Sequence, residues 1–156
     1  MKKTITVIST SPDFTADLGQ RIGQAITAGT VIAATGDLGA GKTLFAAGLG
    51  RGLGVEEPIT SPTFIFFNDY QGRLPFCHLD AYRLEGLEAE ELEFIGLDDC
   101  FRRDKVLLCE WPQFVTDWLP SDTVALEIRK NGEYSRELRF EFDEEKQEWL
   151  YEVLSH

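Results

Sequence analysis

Apolar and polar positions divide this chain into a regular series of elements. TITVIS (4–9) alternates and is β-branched, which predicts a short strand. SPDFTADLGQRIGQAITAG follows, with Phe14, Leu18, Ile22, Ala25 and Ile26 at helical spacing. Ser11 suits its N-cap, Pro12 its first position, and Gly29 its end. TVIAATG (30–36) is nearly all apolar or small, so it reads as a strand buried on both faces in the middle of a parallel sheet. KTLFAAGLGRGLG (42–54) predicts a short helix that stops in glycines, and EEPITSPTF (56–64), with two prolines, predicts a loop. FIFFNDY (64–70) and LPFCHLDAY (74–82) read as strands, with QGR as a turn between them.

The second half continues the pattern. GLEAEELEFIGLDDCFRR (86–103) predicts one acidic helix with Leu87, Leu92, Ile95 and Leu97 as its apolar face. KVLLCEW (105–111) is a second buried strand, and Pro112 ends it and opens a short helix to Trp118. DTVALEIRK (122–130) and YSRELRFEF (134–142) alternate on either side of NGE, which predicts a hairpin with one wet face. DEEKQEWLYEVL (143–154) predicts a closing helix with an acidic first turn. The order of elements predicts an α/β fold: a mostly parallel central sheet flanked by helices, with a C-terminal antiparallel hairpin. Repeats and linkers are absent from the sequence, so one domain spanning 1–156 is expected.

Charge changes the choice of partners. The 15 basic and 27 acidic residues leave a formal net charge of −12. Such a surface repels phosphate backbones, because nucleic-acid affinity rests on lysine and arginine. Direct binding to DNA or tRNA is not expected, and a protein partner with a basic surface suits the field better. Cys77, Cys100 and Cys109 are odd in number and widely spaced, which argues against a disulfide framework or a zinc site. Cys77 and Cys109 lie in apolar runs and read as packed core thiols. The first apolar stretch is too short for a signal peptide core, and no run is long enough for a membrane helix, so a cytoplasmic location is expected.

Between the buried strand and the glycine-ended helix lies GDLGAGKT (36–43). Gly36, Gly41, Lys42 and Thr43 fit G-x-x-x-x-G-K-[ST], in the strand-then-helix context that this phosphate loop requires. Glycine lets backbone amides approach phosphate oxygens, and the helix N-terminus adds partial positive charge. Lys42 would reach the β- and γ-phosphates, and the Thr43 hydroxyl would meet the magnesium ion that bridges them. The fold expectation thereby becomes P-loop NTPase-like. Magnesium also calls for carboxylates at strand ends, and Glu110 and Asp80 supply two. Glu110 reads as metal shell or as the group facing the attacking water, and Asp80 as metal shell or as a group facing the opposite loop. Sequence alone leaves both pairs of roles open. Thr60, Ser61 and Thr63, in TSPTF (60–64), stand where γ-phosphate-sensing switch segments fall. An ordinary capped loop has the same composition. His78 shares a strand face with Asp80, to order it or assist water, or else as a satisfied core histidine. Trp111 reads as a neighbour of the nucleotide or as core. Arg83, Arg102, Arg103 and Arg136 are candidates for charge stabilisation, against the plain alternative of solvated surface arginines. The N-K-x-D triplet is absent, which leaves ATP as the expected nucleotide.

GDLGAGKT, SPTF, HLDAYRL, EELEFIGLDD and CEWP, in this order and spacing, resemble the TsaE (YjeE) family of small bacterial ATPases. The likeness runs from about Gly36 to Pro112. It implies ATP hydrolysis with Mg2+ in support of threonylcarbamoyl modification of the adenosine beside the anticodon in tRNA. It implies two partner proteins, TsaB and TsaD, with TsaD carrying the transfer chemistry and tRNA met only through that complex. The family's phosphate-binding positions map onto Asp37, Leu38, Gly39, Ala40, Gly41, Lys42 and Thr43. Thr43 and Glu110 map onto magnesium ligands, and Asp80 and the loop holding Thr60, Ser61 and Thr63 onto switch-side groups. Trp111 maps beside the nucleotide, with Ser11 and Arg136 as further nucleotide contacts. Lys42, Asp80 and Glu110 are the expected catalytic set. Two other readings share the loop: a small-molecule kinase with Arg102 and Arg103 in a lid, and a nucleotide-gated binding module that hydrolyses negligibly.

Overall fold

The computed structural model describes residues 1–36, 41–60 and 66–156. Its strands are β1 (Lys2–Ser9), β2 (Val31–Gly36), β3 (Phe67–Gln71), β4 (Pro75–Asp80), β5 (Val106–Glu110), β6 (Val124–Lys130) and β7 (Arg136–Asp143). They form one seven-stranded sheet in the order β1-β7-β6-β2-β5-β4-β3. The helices are α1 (Pro12–Ala25), α2 (Lys42–Gly52), α3 (Ala89–Phe94), α4 (Leu97–Cys100) and α5 (Glu148–Ser155). Single 3-10 turns occupy Ala81–Leu84, Pro112–Phe114 and Thr116–Trp118.

The sheet is mixed rather than mostly parallel. Pairings β6–β2, β2–β5 and β5–β4 are parallel, as expected for the centre. Pairings β1–β7, β7–β6 and β4–β3 are antiparallel. The reason at β3–β4 is the short link through Gly72, Arg73 and Leu74, which cannot cross over the sheet. The predicted hairpin is present as β6–β7, and β1 closes onto its outer side, from Lys2 opposite Asp143 to Ser9 opposite Arg136. β1 runs in the same direction as β6, so β1, β6, β2, β5 and β4 all end at one edge of the sheet.

Two core layers flank the sheet. On one face Ile32, Ala34, Leu108, Leu126 and Phe140 pack with Ile22 of α1, Phe45 and Leu49 of α2, and Leu150 of α5. On the other, Val31, Leu79, Leu107 and Cys109 pack with Leu84, Leu92, Leu97 and Cys100. Each valine, leucine, isoleucine or phenylalanine side chain among them contributes roughly 1.5–3 kcal/mol when fully buried. Among the described residues no helix is long and apolar enough to cross a membrane.

Three predicted helices change, and the short one expected from Pro112 to Trp118 is two 3-10 turns. The expected helix over 86–103 is two short ones, because Gly96 takes φ +86° between them and its N–H closes on the Glu93 carbonyl at 3.0 Å. The closing helix begins at Glu148 rather than 143. Asp143 Oδ1 accepts from the N–H groups of Glu145 and Lys146, and the Gln147 side chain bridges Asp143 N–H and the Asp122 carbonyl, which holds 143–147 as a turn.

α1 and α2 lie unusually close and run in the same direction. A Cβ on Gly48 would meet the Ala16 carbonyl oxygen at 2.1 Å, and one on Gly52 would meet the Gln20 oxygen at 2.1 Å. Gly19 and Gly23 face Phe45 and Leu49 from the other side. The register sets the start of α1 level with Gly41, whose nearest neighbour in this direction is Thr15. Gly48→Ala should therefore lower unfolding free energy by about 1–3 kcal/mol, because overpacking against backbone outweighs the helix propensity gained. A urea titration checks this, and an unchanged or raised midpoint contradicts the close approach.

All three cysteines are buried and free. The Cys77 thiol is pushed far above its ordinary range, first by its hydrogen bond with Cys100 and then by burial. Burial raises that of Cys109 as well. Since the thiolate is the reactive form, none of these thiols should react with a thiol-specific disulfide reagent in the folded protein, and all three should react in denaturant.

Candidate functional site

The shared strand edge gathers the candidate residues. Gly36 ends β2 beside Ile128 of β6, and Ala34, Glu110 and Asp80 stand in register across β2, β5 and β4. Alternation puts His78, Asp80 and Glu110 on the face that α2 covers, since Phe76, Val106 and Leu108 pack there. In open α/β sheets this carboxyl edge is where ligands bind.

The start of α2 is built for an anion. Gly41 is its N-cap at φ +113° and offers no side-chain cap. The amides of the first turn therefore have no intrahelical acceptor and none from a Gly41 side chain. Gly36, at φ +147°, admits no side chain, because a Cβ would lie 2.3 Å from the Ile128 carbonyl oxygen. Lys42 donates from Nζ to the Gly36 carbonyl at 3.0 Å, and its ammonium lies 4.9 Å from the centre of the Trp111 ring. Thr43 is exposed on the first turn. Asp37, Leu38, Gly39 and Ala40 lie outside the described residues, as do Ser61 and Thr63.

Glu110 is 8% exposed although it ends a strand. Its Oε2 lies 2.7 Å from His78 Nε2, and His78 is itself buried. Of the roles left open for His78, ordering Asp80 is not the one seen: its partner is Glu110. Asp80 instead accepts the Tyr82 N–H on Oδ1 at 3.0 Å and so caps the 3-10 turn that follows β4. Trp111 is the one non-glycine residue with positive φ among the described residues, at φ 58°. That left-handed conformation costs roughly 1–2 kcal/mol. It swings the ring toward Lys42, with Tyr82 edge-on to it at 5.0 Å.

Other candidates fall around this centre or away from it. Ser11 caps α1, its Oγ accepting the Phe14 N–H at 3.1 Å. Arg136 stands opposite Ser9, and its guanidinium donates to carbonyls of Gly132, Glu133 and Ser135 in its own turn. Thr60 is tied by its backbone to the Tyr70 hydroxyl. The Arg83 guanidinium lies 5.7 Å from the Phe66 ring centre. Arg102 and Arg103 precede β5, at the opposite end of the sheet from Glu110, where they pair with Asp99, Asp104 and Asp122. A lid over the loop cannot be built from them there.

Three contributions escaped the sequence reading. Tyr82 looked like a strand end, yet it packs against Trp111. Ser9 and Thr15 share a buried hydrogen bond at 2.7 Å, which braces the start of α1 beside Gly41. The His78–Glu110 pair joins two strands, and nothing in local spacing signals it.

The donor set fits a magnesium nucleotide. Among the described residues no three His, Cys, Asp or Glu side chains cluster as a metal cage. Magnesium rarely uses such a cage; it takes one or two carboxylates, a hydroxyl, waters and the phosphates themselves. Thr43 and Glu110 would supply the protein's share.

Comparison with known proteins agrees with this geometry. The family described as "Threonylcarbamoyl adenosine biosynthesis protein TsaE" matches residues 9–138. The chain belongs to the TsaE family. It is 39% identical to the tRNA threonylcarbamoyladenosine biosynthesis protein TsaE of Bacillus subtilis over 128 residues, 81% of this chain and 78% of that one. It is 40% identical to the protein of the same name from Treponema pallidum over 131 residues, 84% of this chain and 96% of that one. The crystal structure of Bacillus subtilis YdiB superposes with a TM-score of 0.76 at 31% identity, covering 99% of this chain and 96% of that chain. Family membership thus extends well beyond Gly36 to Pro112, into α1 and the β6–β7 hairpin.

The contact between Lys42 and Trp111 is open to a direct check. Lys42→Ala should change the tryptophan emission spectrum, and the change should vanish in a Trp111→Phe background. Identical spectra for Lys42→Ala and the parent protein would show that the ammonium does not rest on this ring in solution.

Proposed function

We propose that the chain is a magnesium-dependent ATPase, folded as one P-loop domain, that supports threonylcarbamoyl modification of the tRNA adenosine beside the anticodon. It acts on a complex of TsaB and TsaD and meets tRNA only through them. The observation that carries this reading is the uncapped N-terminus of α2, with Lys42 and Thr43 on its first turn, set at the same sheet edge as Glu110 and Asp80. The start of α1 lies level with it and adds a second helix dipole.

In this proposal the amides from Asp37 to Thr43 cradle the phosphates. Lys42 leaves the Gly36 carbonyl to neutralise the β- and γ-phosphates. Thr43 and Glu110 hold magnesium, which when bound shields the phosphate charge. Asp80 and the loop of Thr60, Ser61 and Thr63 form the switch side. Trp111, Ser11 and Arg136 line the nucleotide. Catalysis is positioning and charge stabilisation, as in other phosphoryl transfers. A net charge of −12 suits a chain that binds protein and leaves the tRNA to its partners. Turnover by the isolated chain is expected to be weak, and the setting cytoplasmic.

Lys42→Ala and Thr43→Ala should each reduce ATP hydrolysis to background while the circular dichroism spectrum stays unchanged. Phosphate release measured with and without TsaB–TsaD, and with candidate small-molecule acceptors, decides among readings. Acceptor-dependent transfer would favour a kinase. Tight ATP binding without turnover beside both partners would favour a nucleotide-gated binding module. Full hydrolysis by Lys42→Ala rejects the assignment.

A further inference from the structure

We infer that His78 is a positioning residue for Glu110: its imidazole fixes one carboxylate oxygen and so determines which oxygen faces the magnesium or water. This inference rests on the nucleotide-hydrolysing reading of the site. His78 lies within β4, in register with Leu108 of β5 and two residues before Asp80. Its ring reaches diagonally to Glu110, and Nε2 comes within 2.7 Å of Oε2.

Three observations separate this pair from an ordinary core contact. First, both partners are enclosed, His78 at 1% and Glu110 at 8% exposure. A carboxylate so placed needs a hydrogen-bond donor, because leaving it unpaired costs the full desolvation penalty. Second, His78 Nδ1 is buried and finds no partner among the described residues. A ring hydrogen there would be unsatisfied, while one on Nε2 has the Glu110 acceptor. With the Glu110 carboxylate as acceptor, Nε2 is the ring nitrogen that carries the hydrogen and donates. Third, the imidazole's hydrogen-bond partner is Glu110, while Asp80 Oδ1 accepts the Tyr82 amide. The two strand-end carboxylates are thus held by different means. Asp80 is fixed by backbone, and Glu110 by a side chain on the neighbouring strand.

With Oε2 held by Nε2–H, Oε1 becomes the oxygen presented to the ligand side. Such outer partners commonly orient a ligating carboxylate, and losing one costs about 10–100-fold in metal affinity or activity. His78 touches neither nucleotide nor metal in this account; it acts through Glu110.

The test has three parts, all on the full chain. Long-range proton–nitrogen correlation of the imidazoles in the nucleotide-free protein reads the tautomer directly. The chain holds two histidines, and His156→Gln removes the other signal. Nε2 protonated and Nδ1 bare is expected; the opposite tautomer overturns the inference. His78→Phe keeps the ring's bulk without the donor. It should lower kcat for ATP about 10–100-fold with KM nearly unchanged, and should weaken Mn2+ binding to the ADP complex by a similar factor, read by electron paramagnetic resonance. His78→Gln, which can donate from a similar position, should recover most of both losses. A purely structural role would lower thermal stability in both variants, with no selective loss of kcat or Mn2+ affinity and no recovery by glutamine. If His78→Phe matches the parent in kcat and Mn2+ affinity, the inference falls and the ATPase reading stands. If the parent protein itself fails to bind MgATP, the reading falls and the inference with it.

Discussion

The glycine-capped head of α2, whose first-turn amides have no intrahelical acceptor, is the feature on which the rest of this molecule depends. A helix that begins at glycine, without a side chain to cap it, carries concentrated positive potential. In a chain with a net charge of −12, that potential is local and stands out from its surroundings. Everything near it either preserves it or aims something at it. Gly36 keeps the approach narrow by tolerating no side chain against Ile128. Lys42 rests on the Gly36 carbonyl and the Trp111 ring, contacts that hold its charge at the loop.

The surrounding architecture supports that one end of one helix. Parallel pairing of β2, β5 and β4 brings the carboxylates of Glu110 and Asp80 to the loop's own edge. Tight glycine packing between α1 and α2 fixes where the head of α2 lies and sets a second helix start beside it. Buried leucine and phenylalanine on both sheet faces resist any shift of the strands. Among the described residues, Trp111 alone of the non-glycine positions has a left-handed backbone, immediately after Glu110. A costly conformation at that position is understandable where a ring must meet a cation.

Membership of the TsaE family and the geometry point the same way, and each supplies what the other lacks. The family connects the chain to threonylcarbamoyl adenosine biosynthesis. The geometry places the head of α2 and two strand-end carboxylates, held by different partners, at one edge of the sheet. Asp80 is bound to its own turn and moves with it, whereas Glu110 answers to His78 across the sheet.

Local sequence determined the strands, the α1 cap at Ser11 and the β6–β7 hairpin, because each depends on neighbouring residues: alternation, capping and turn chemistry. It also marked Lys42, Thr43, Asp80 and Glu110 as candidates, since a phosphate loop and acids at strand ends are written contiguously. Local pattern overran where one residue or one turn intervened, as at Gly96 and before Glu148. What only the tertiary structure decided was partnership across the chain. Antiparallel closure of β1 on β7, the packing of Tyr82 on Trp111, and the choice of Glu110 over Asp80 by His78 all join residues whose proximity comes from strand order. Strand order is set by how whole faces bury against one another, and no short window of sequence contains that information.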